Sequence, residues 1–259
     1  MCAGLERDPI DAVRALSIRL GRRADREPIH PDWRTAFAAA ERSAWTAAGA
    51  TLASSPAGEG AAVRAALASV PDGGWILVGN SRPVRDLDSF VPPAQRFVSV
   101  MHQRGVAGID GLVAGAAGAS LATGRPGVLL LGDVSVSHDL SSLSIAREVR
   151  APLAIVAIDN GGGRIFDELP VGKDDSLAAA RARLFTTPPR IDWASAAAAF
   201  GLTHEIARDA TSLQKAIARA MERATATVLI AQVTPPPAGV TPRECLHGAV
   251  RAELEKGLA

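Results

Sequence analysis

Two short stretches of the chain place oxygen donors at the ends of apolar runs. The first is Leu129-Leu130-Leu131-Gly132-Asp133-Val134-Ser135. An apolar strand of this kind runs into Gly-Asp and then into small residues that can open a helix. In open α/β sheets, ligands bind beyond the carboxyl ends of the strands. A helix starting there turns unpaired N–H groups and the positive end of its dipole toward an anion. Gly132 permits close backbone approach, and Asp133 is a hard oxygen ligand suited to Mg²⁺. The second stretch is Ile155-Val156-Ala157-Ile158-Asp159-Asn160-Gly161-Gly162-Gly163. It again ends in oxygen donors, and its glycines allow a backbone carbonyl to turn inward through torsions that side chains forbid. Magnesium takes about six oxygens, few of them from protein and several from phosphate. Asp133, the Asn160 amide oxygen and a carbonyl of the glycine run would supply three, and diphosphate and water the remainder. Each stretch alone also reads as an ordinary turn or helix cap. Their conjunction is sharper, because Asp133 and Asn160 end successive strands joined by one helix and so fall on one edge of a sheet.

The elements that must position them follow from hydrophobic patterning. Short apolar runs at Trp75–Val78, Arg96–Met101, Gly127–Leu131, Pro152–Ile158 and Thr227–Val233 alternate with helical segments at Gly111–Ala122, Asp139–Val149, Trp193–Phe200 and Thr211–Arg223. Continuous apolar runs separated by helices predict a parallel sheet covered on both faces, a doubly wound α/β domain. Before it, helical spacing is read over Asp11–Leu20, Trp33–Ala53 and Ala61–Val70, with Ser54–Gly60 as a linker. Thr241–Ala259 reads as a solvent-facing helix. The expected organisation is a helical lead over 1–58, the α/β domain over 59–238 and a C-terminal helix over 239–259.

Beyond the metal pair, three further stretches resemble a known family. Gly-Asp followed by Asn after just under thirty residues resembles the cofactor motif of thiamine-diphosphate enzymes. Val78-Gly79-Asn80-Ser81-Arg82-Pro83-Val84-Arg85, Arg104-Gly105-Val106-Ala107-Gly108-Ile109-Asp110-Gly111 and Asn160-Gly161-Gly162-Gly163-Arg164-Ile165-Phe166 are similar to the menaquinone-pathway 2-succinyl-5-enolpyruvyl-6-hydroxy-3-cyclohexene-1-carboxylate synthases. The similarity runs from about Trp33 to Val233, in family order. It implies thiamine diphosphate with Mg²⁺ (or Mn²⁺), held through Asp133, Asn160 and the Gly162 carbonyl. Gly132, Val134 and Ser135 would lie at the diphosphate, and Ile109 would be the aliphatic wedge beneath the cofactor. Ser81, Arg85 and Arg104 would bind carboxylates of 2-oxoglutarate, with Ile109 and Arg104 nearest the reacting atoms. Ile165 and Phe166 would border the isochorismate pocket. Arginine suits the carboxylate role because its planar fork matches a carboxylate bidentately.

Two positions depart from the family pattern: Asp159, where Asn is usual, which either points away from the metal site or tunes it, and His102-Gln103 before Arg104. The family's pyrimidine-binding domain, with its glutamate, has no counterpart in this sequence. The chain alone is therefore expected to bind cofactor weakly and turn over poorly, unless a pyrimidine-domain chain or second subunit completes the site in a homodimer or tetramer. A different thiamine-diphosphate enzyme of the 2-keto-acid decarboxylase or acetolactate synthase type, and a non-catalytic cofactor-binding subunit, remain as alternatives. A dinucleotide-binding protein is disfavoured by the lack of G-x-G-x-x-G after the first strand. The net charge of +1 gives no global field for nucleic acid or membrane. No apolar run reaches the roughly 18 residues of a spanning helix. Cys2 and Cys245 form no disulfide framework, which fits a reducing cytoplasm.

Overall fold

The computed structural model describes residues 31–93, 97–103, 105, 107–235 and 241–258. The helix expected over Asp11–Leu20 and the candidate site residue Arg104 lie outside these. The chain divides into two compact units, Met1–Arg42 and Ser43–Ala259. The described part of the first is the opening of helix α1 (Pro31–Ala53), where Trp33 and Phe37 stack with ring centroids 5.2 Å apart.

The second unit contains, in chain order, the remainder of α1, α2 (Glu59–Ala68), β1 (Trp75–Val78), α3 (Arg82–Phe90), β2 (Ser99–His102), α4 (Leu112–Thr123), β3 (Gly127–Gly132), α5 (Asp133–His138), α6 (Leu143–Ala146) and β4 (Leu153–Asp159). It continues with α7 (Pro170–Lys173), α8 (Ala178–Arg181), α9 (Trp193–Ala199), β5 (Thr203–Ala207), α10 (Ala210–Met221), β6 (Ala226–Gln232) and α11 (Pro242–Leu258). The strands form one six-stranded sheet, all parallel, in the order β2-β1-β3-β4-β6-β5.

The apolar runs of β1, β3, β4 and β6 are buried along almost their whole lengths, as a sheet covered on both faces requires. Alternate residues serve opposite layers. Ile76, Val78, Leu130, Val156 and Ile158 pack with α2 and α10, whereas Trp75, Leu77, Leu129, Leu131 and Ile155 pack with α4 and α6. The chain leaves β1 for β2 and then returns to the opposite side of β1 for β3. The strand order thus reverses between β1 and β3, the crevice where doubly wound sheets bind ligands. Gly79 allows the tip of β1 to close onto β3: its N–H donates to the Leu130 carbonyl at 2.7 Å, and a Cβ there would lie 2.9 Å from the Leu131 Cβ.

Several expectations are revised. The strand β5 was not anticipated, because as an edge strand its sequence, Thr-His-Glu-Ile-Ala, alternates and stays half exposed. Helix α3 is a further addition. The linker over Ser54–Gly60 ends at Gly58, and Glu59 already belongs to α2. The C-terminal helix is not simply solvent-facing, since Leu246 is buried against Phe90 and Ala48. In place of one helix over Asp139–Val149, α5 ends at His138, a 3₁₀ turn follows at Leu140–Ser142, and the short α6 covers only Leu143–Ala146, so the helical stretch is broken at Asp139.

The break is explained by Asp139. Its buried Oδ2 accepts the N–H groups of Val113 at 2.6 Å and Ala114 at 3.3 Å, and its Oδ1 accepts the Ser142 hydroxyl at 2.6 Å. Asp139 thereby caps α4, whose own preceding residue, Gly111, has no side chain to do so. Asp139→Ala should cost roughly 1–2 kcal/mol, as lost caps do. A urea midpoint lowered without change in slope would show this; an unchanged midpoint would refute it.

Candidate functional site

The carboxyl edge of the sheet gathers the candidate residues. Gly132 and Ile158 are register partners, so Asp133 and Asn160 emerge from adjacent strand tips. Asp133 opens α5 and is buried. Its Oδ1 accepts the Val134 N–H at 2.8 Å, and its Oδ2 accepts the Gly162 N–H at 2.8 Å. The second bond ties the tip of β3 to the glycine run after β4. At Gly162 φ is +112°, and any Cβ would collide with the Thr186 carbonyl oxygen, so only glycine fits. The Gly162 carbonyl accepts the Arg164 N–H at 2.7 Å, which leaves it a second lone pair.

The Asn160 amide is polarised by its surroundings. Its Nδ2 donates to both carboxylate oxygens of Glu59, at 3.2 and 3.1 Å. Its Oδ1 is buried and has no hydrogen-bond partner among the described residues. A buried amide oxygen left unpaired is costly, and such atoms usually await an ion, water or ligand. Carboxylate, amide and backbone oxygens together form the hard, mixed donor set that Mg²⁺ prefers. The residues present therefore fit a divalent cation. Burial pushes the Asp133 carboxyl up to about 6; the Val134 and Gly162 N–H groups oppose this, while the Asp159 and Glu59 charges add to it. A bound cation would reverse the shift. Asp159 thus adds a like-charge contribution to a rise that is due first to burial.

The other candidates fall on the same edge. Asn80, just beyond β1, donates through Nδ2 to the Gly108 carbonyl at 2.6 Å, fastening this tip to the loop that carries half-buried Ile109. Ser81 holds φ at +70° and ψ at −133°, a costly conformation for a residue with a Cβ and one found where backbone is held for function. Arg85 donates through Nη1 to the Ser81 carbonyl at 2.7 Å, so its guanidinium is folded onto its own loop. Gln103 donates to the Gly111 carbonyl at 3.1 Å. Ser135 is buried, and Gly132 and Val134 are half-buried beside Asp133. Ile165 and Phe166 lie on a 3₁₀ turn directly after the glycine run, with Phe166 edge-on to Phe185 at 5.2 Å.

Behind Asn160 lies a charged cluster that the sequence reading did not single out. Arg82 reaches Glu59 at 3.2 Å, Glu168 at 3.7 Å and Asp86 at 3.8 Å. Arg243 reaches Glu168 at 3.4 Å and Asp86 at 3.9 Å. The available signal was an acidic residue at the start of a helix, Glu59 after Pro-Ala-Gly, which a linker assignment hides. Burial pushes the Asp86 carboxyl up to about 8; the Glu59 charge adds to this, and Arg82 and Arg243 oppose it. Burial pushes the Glu59 carboxyl up as well, opposed by the Arg82 charge and by the bond from Asn160.

Comparison with known proteins is consistent with this geometry. Residues 89–231 match the family model described as thiamine pyrophosphate enzyme, C-terminal TPP binding domain. The chain belongs to this family. It is 43% identical over 252 residues to a 2-succinyl-5-enolpyruvyl-6-hydroxy-3-cyclohexene-1-carboxylate synthase of Sorangium cellulosum, covering 95% of this chain and 41% of that protein. It is 35% identical to the synthase of the same name from Roseiflexus castenholzii, over 84% of this chain and 36% of the relative. The chain thus spans about two fifths of the length of these relatives. The fold matches a solved structure described as a putative thiamin diphosphate-dependent enzyme from Mycobacterium smegmatis, with a TM-score of 0.53 and 21% identity, over 70% of this chain and 32% of the other. The doubly wound fold expected from the apolar runs is therefore the fold of a thiamine-diphosphate domain.

The raised Asp86 pKa makes stability pH-dependent. In the unfolded chain this carboxyl ionises near its ordinary 3.8, whereas in the fold it holds its proton to about 8. Stability is then fully present below the lower value and falls as pH rises toward the higher one. The melting temperature should drop between pH 6 and 8, and Asp86→Asn should flatten that drop. An equally steep drop in the variant would contradict the assignment.

Proposed function

We propose that this chain carries the diphosphate- and metal-binding part of a thiamine-diphosphate site, in a synthase that uses 2-oxoglutarate and isochorismate. The observation that carries the reading is the pairing at the strand tips: Asp133 at the end of β3 is bonded to the Gly162 N–H, and Asn160, directly after β4, keeps a buried Oδ1 with no hydrogen-bond partner among the described residues. Asp133, Asn160 and the Gly162 carbonyl would hold Mg²⁺ or Mn²⁺, and Gly132, Val134 and Ser135 would border the diphosphate. When bound, thiamine diphosphate supplies the electron sink for loss of carbon dioxide from a 2-keto acid.

The residues of this chain would do the positioning. The start of α3, with Ser81 and Arg85, is fastened to the separate loop bearing Ile109 through the bond from Asn80 to the Gly108 carbonyl. Arg85, with donors beyond the one given to the Ser81 carbonyl, would hold a carboxylate of the keto acid. Arg104 would share this role. Ile109 would press against the cofactor, and Ile165 and Phe166 would form the apolar wall met by the second substrate. Holding two reactants in register replaces a bimolecular encounter with an intramolecular one. The decarboxylase or acetolactate synthase alternative is not favoured, because the relatives described above carry the synthase name.

A pyrimidine-domain chain or second subunit would complete the cofactor site, in a dimer or tetramer. A cytoplasmic setting is proposed from the scarce cysteines and from the absence, among the described residues, of any helix long and apolar enough to cross a membrane.

The test is carbon dioxide release from 2-oxoglutarate with thiamine diphosphate and Mg²⁺, with and without a pyrimidine-domain chain. Asp133→Ala should abolish metal-dependent cofactor binding, measured calorimetrically. Arg85→Ala should raise KM for 2-oxoglutarate at least tenfold and leave cofactor affinity within about twofold, the loss of a charge-assisted bond being worth about 1.5–3 kcal/mol. Preference for pyruvate as donor, or cofactor binding by Asp133→Ala equal to that of the unsubstituted chain, would overturn the reading.

A further inference from the structure

A side-chain amide has two ends of nearly equal shape and opposite hydrogen-bonding character. Which end of Asn160 faces the strand tips therefore depends on what holds the other end. That neighbour is Glu59, whose charged form is favoured by the Arg82 guanidinium at 3.2 Å and can only accept hydrogen bonds. Both of its oxygens lie within reach of Nδ2, at 3.2 and 3.1 Å. An amide oxygen turned toward Glu59 would meet two negative oxygens in a buried site. Nδ2 is thus fixed on Glu59 and Oδ1 on the far side, where it is buried and unpartnered.

Glu59 is itself immobilised. It is only 5% exposed, and Arg82 grips its Oε2 at 3.2 Å. It is the first residue of α2, where the helix dipole favours negative charge. Arg82 lies one residue beyond Ser81, so the same ion pair links the loop of the candidate substrate residues to the support of the candidate metal ligand.

We propose that Glu59 is a positioning residue: it sets the orientation of the Asn160 amide so that Oδ1, rather than Nδ2, is presented to the metal. This rests on the reading that Asn160 is a metal ligand. Supporting groups of this kind typically change metal affinity about 10–100-fold when removed.

The test uses the full chain with thiamine diphosphate, with and without a pyrimidine-domain chain, and titrates Mn²⁺, following the free-ion electron paramagnetic resonance signal. Melting temperatures are recorded in parallel without metal. Glu59→Gln keeps the shape but can present either end to Asn160, so Mn²⁺ affinity should fall about 10–100-fold. Asn160→Asp alone sets two carboxylates face to face and should lower the melting temperature. The combined E59Q/N160D swap reverses the polarity of the bond: the Gln amide donates to the Asp carboxylate, whose other oxygen faces outward. It should recover most of the lost Mn²⁺ affinity. Should E59Q fail to fold, the swap alone carries the test, because it preserves both the shape and the hydrogen bond.

Three results would overturn the proposal. Unchanged affinity in E59Q would remove the positioning role and leave the metal site standing. A swap that folds but stays weak in Mn²⁺ would assign Glu59 to charge balance with Arg82 alone. Absence of cofactor-dependent Mn²⁺ binding by the unsubstituted chain even with a pyrimidine-domain chain present would instead remove the metal-site reading on which the inference depends.

Discussion

The hydrogen bond from the Gly162 N–H to Asp133 Oδ2, at 2.8 Å, is the constraint on which the site depends. It joins the tips of two neighbouring parallel strands and holds a buried carboxylate in place with little water around it. The bond forms because Gly162 adopts a backbone conformation closed to other residues and packs against the Thr186 carbonyl. The sheet register brings the two tips level, and the hydrophobic layers on either face hold that register. A carboxylate placed this way is under tension, because burial raises its pKa while backbone donors resist. A divalent cation beside Asp133 would favour its charged form and oppose that rise.

The second layer of the design is ionic. Glu59, Arg82, Asp86, Glu168 and Arg243 come from α2, α3, the turn after the glycine run, and α11. Buried charge networks add little net stability compared with apolar packing, but removing one member is costly. Their value here is in placement. The network fixes α3, which starts next to Ser81, and fixes Glu59, which bonds Asn160. Ser81, at the start of α3, and the Asn160 amide are thereby tied to one set of ion pairs.

Much of this was legible in the sequence, for physical reasons. Buried parallel strands must be apolar throughout, so β1, β3, β4 and β6 announce themselves. Asp133 and Asn160 could be paired because each immediately follows such a strand. The edge strand β5 escaped notice because a half-exposed strand carries polar residues. Asp139 was read as an ordinary helix residue because its partners, Val113 and Ala114, belong to another helix. Glu59 was hidden for the same reason: its bond to Asn160 spans 101 positions, and Ser-Ser-Pro-Ala-Gly-Glu-Gly has the composition of a linker. Long-range polar pairing leaves no periodicity, whereas burial does.

The central claim is that a cation is gripped by Asp133, the Asn160 amide oxygen and the Gly162 carbonyl. Anomalous diffraction from crystals grown with Mn²⁺ and thiamine diphosphate tests it most directly. The expected result is a single anomalous peak at the tips of β3 and β4, at coordination distance (about 2.0–2.3 Å) from all three oxygens. A peak elsewhere on the sheet edge, or one at this edge lacking contact with Asn160 Oδ1, would contradict it.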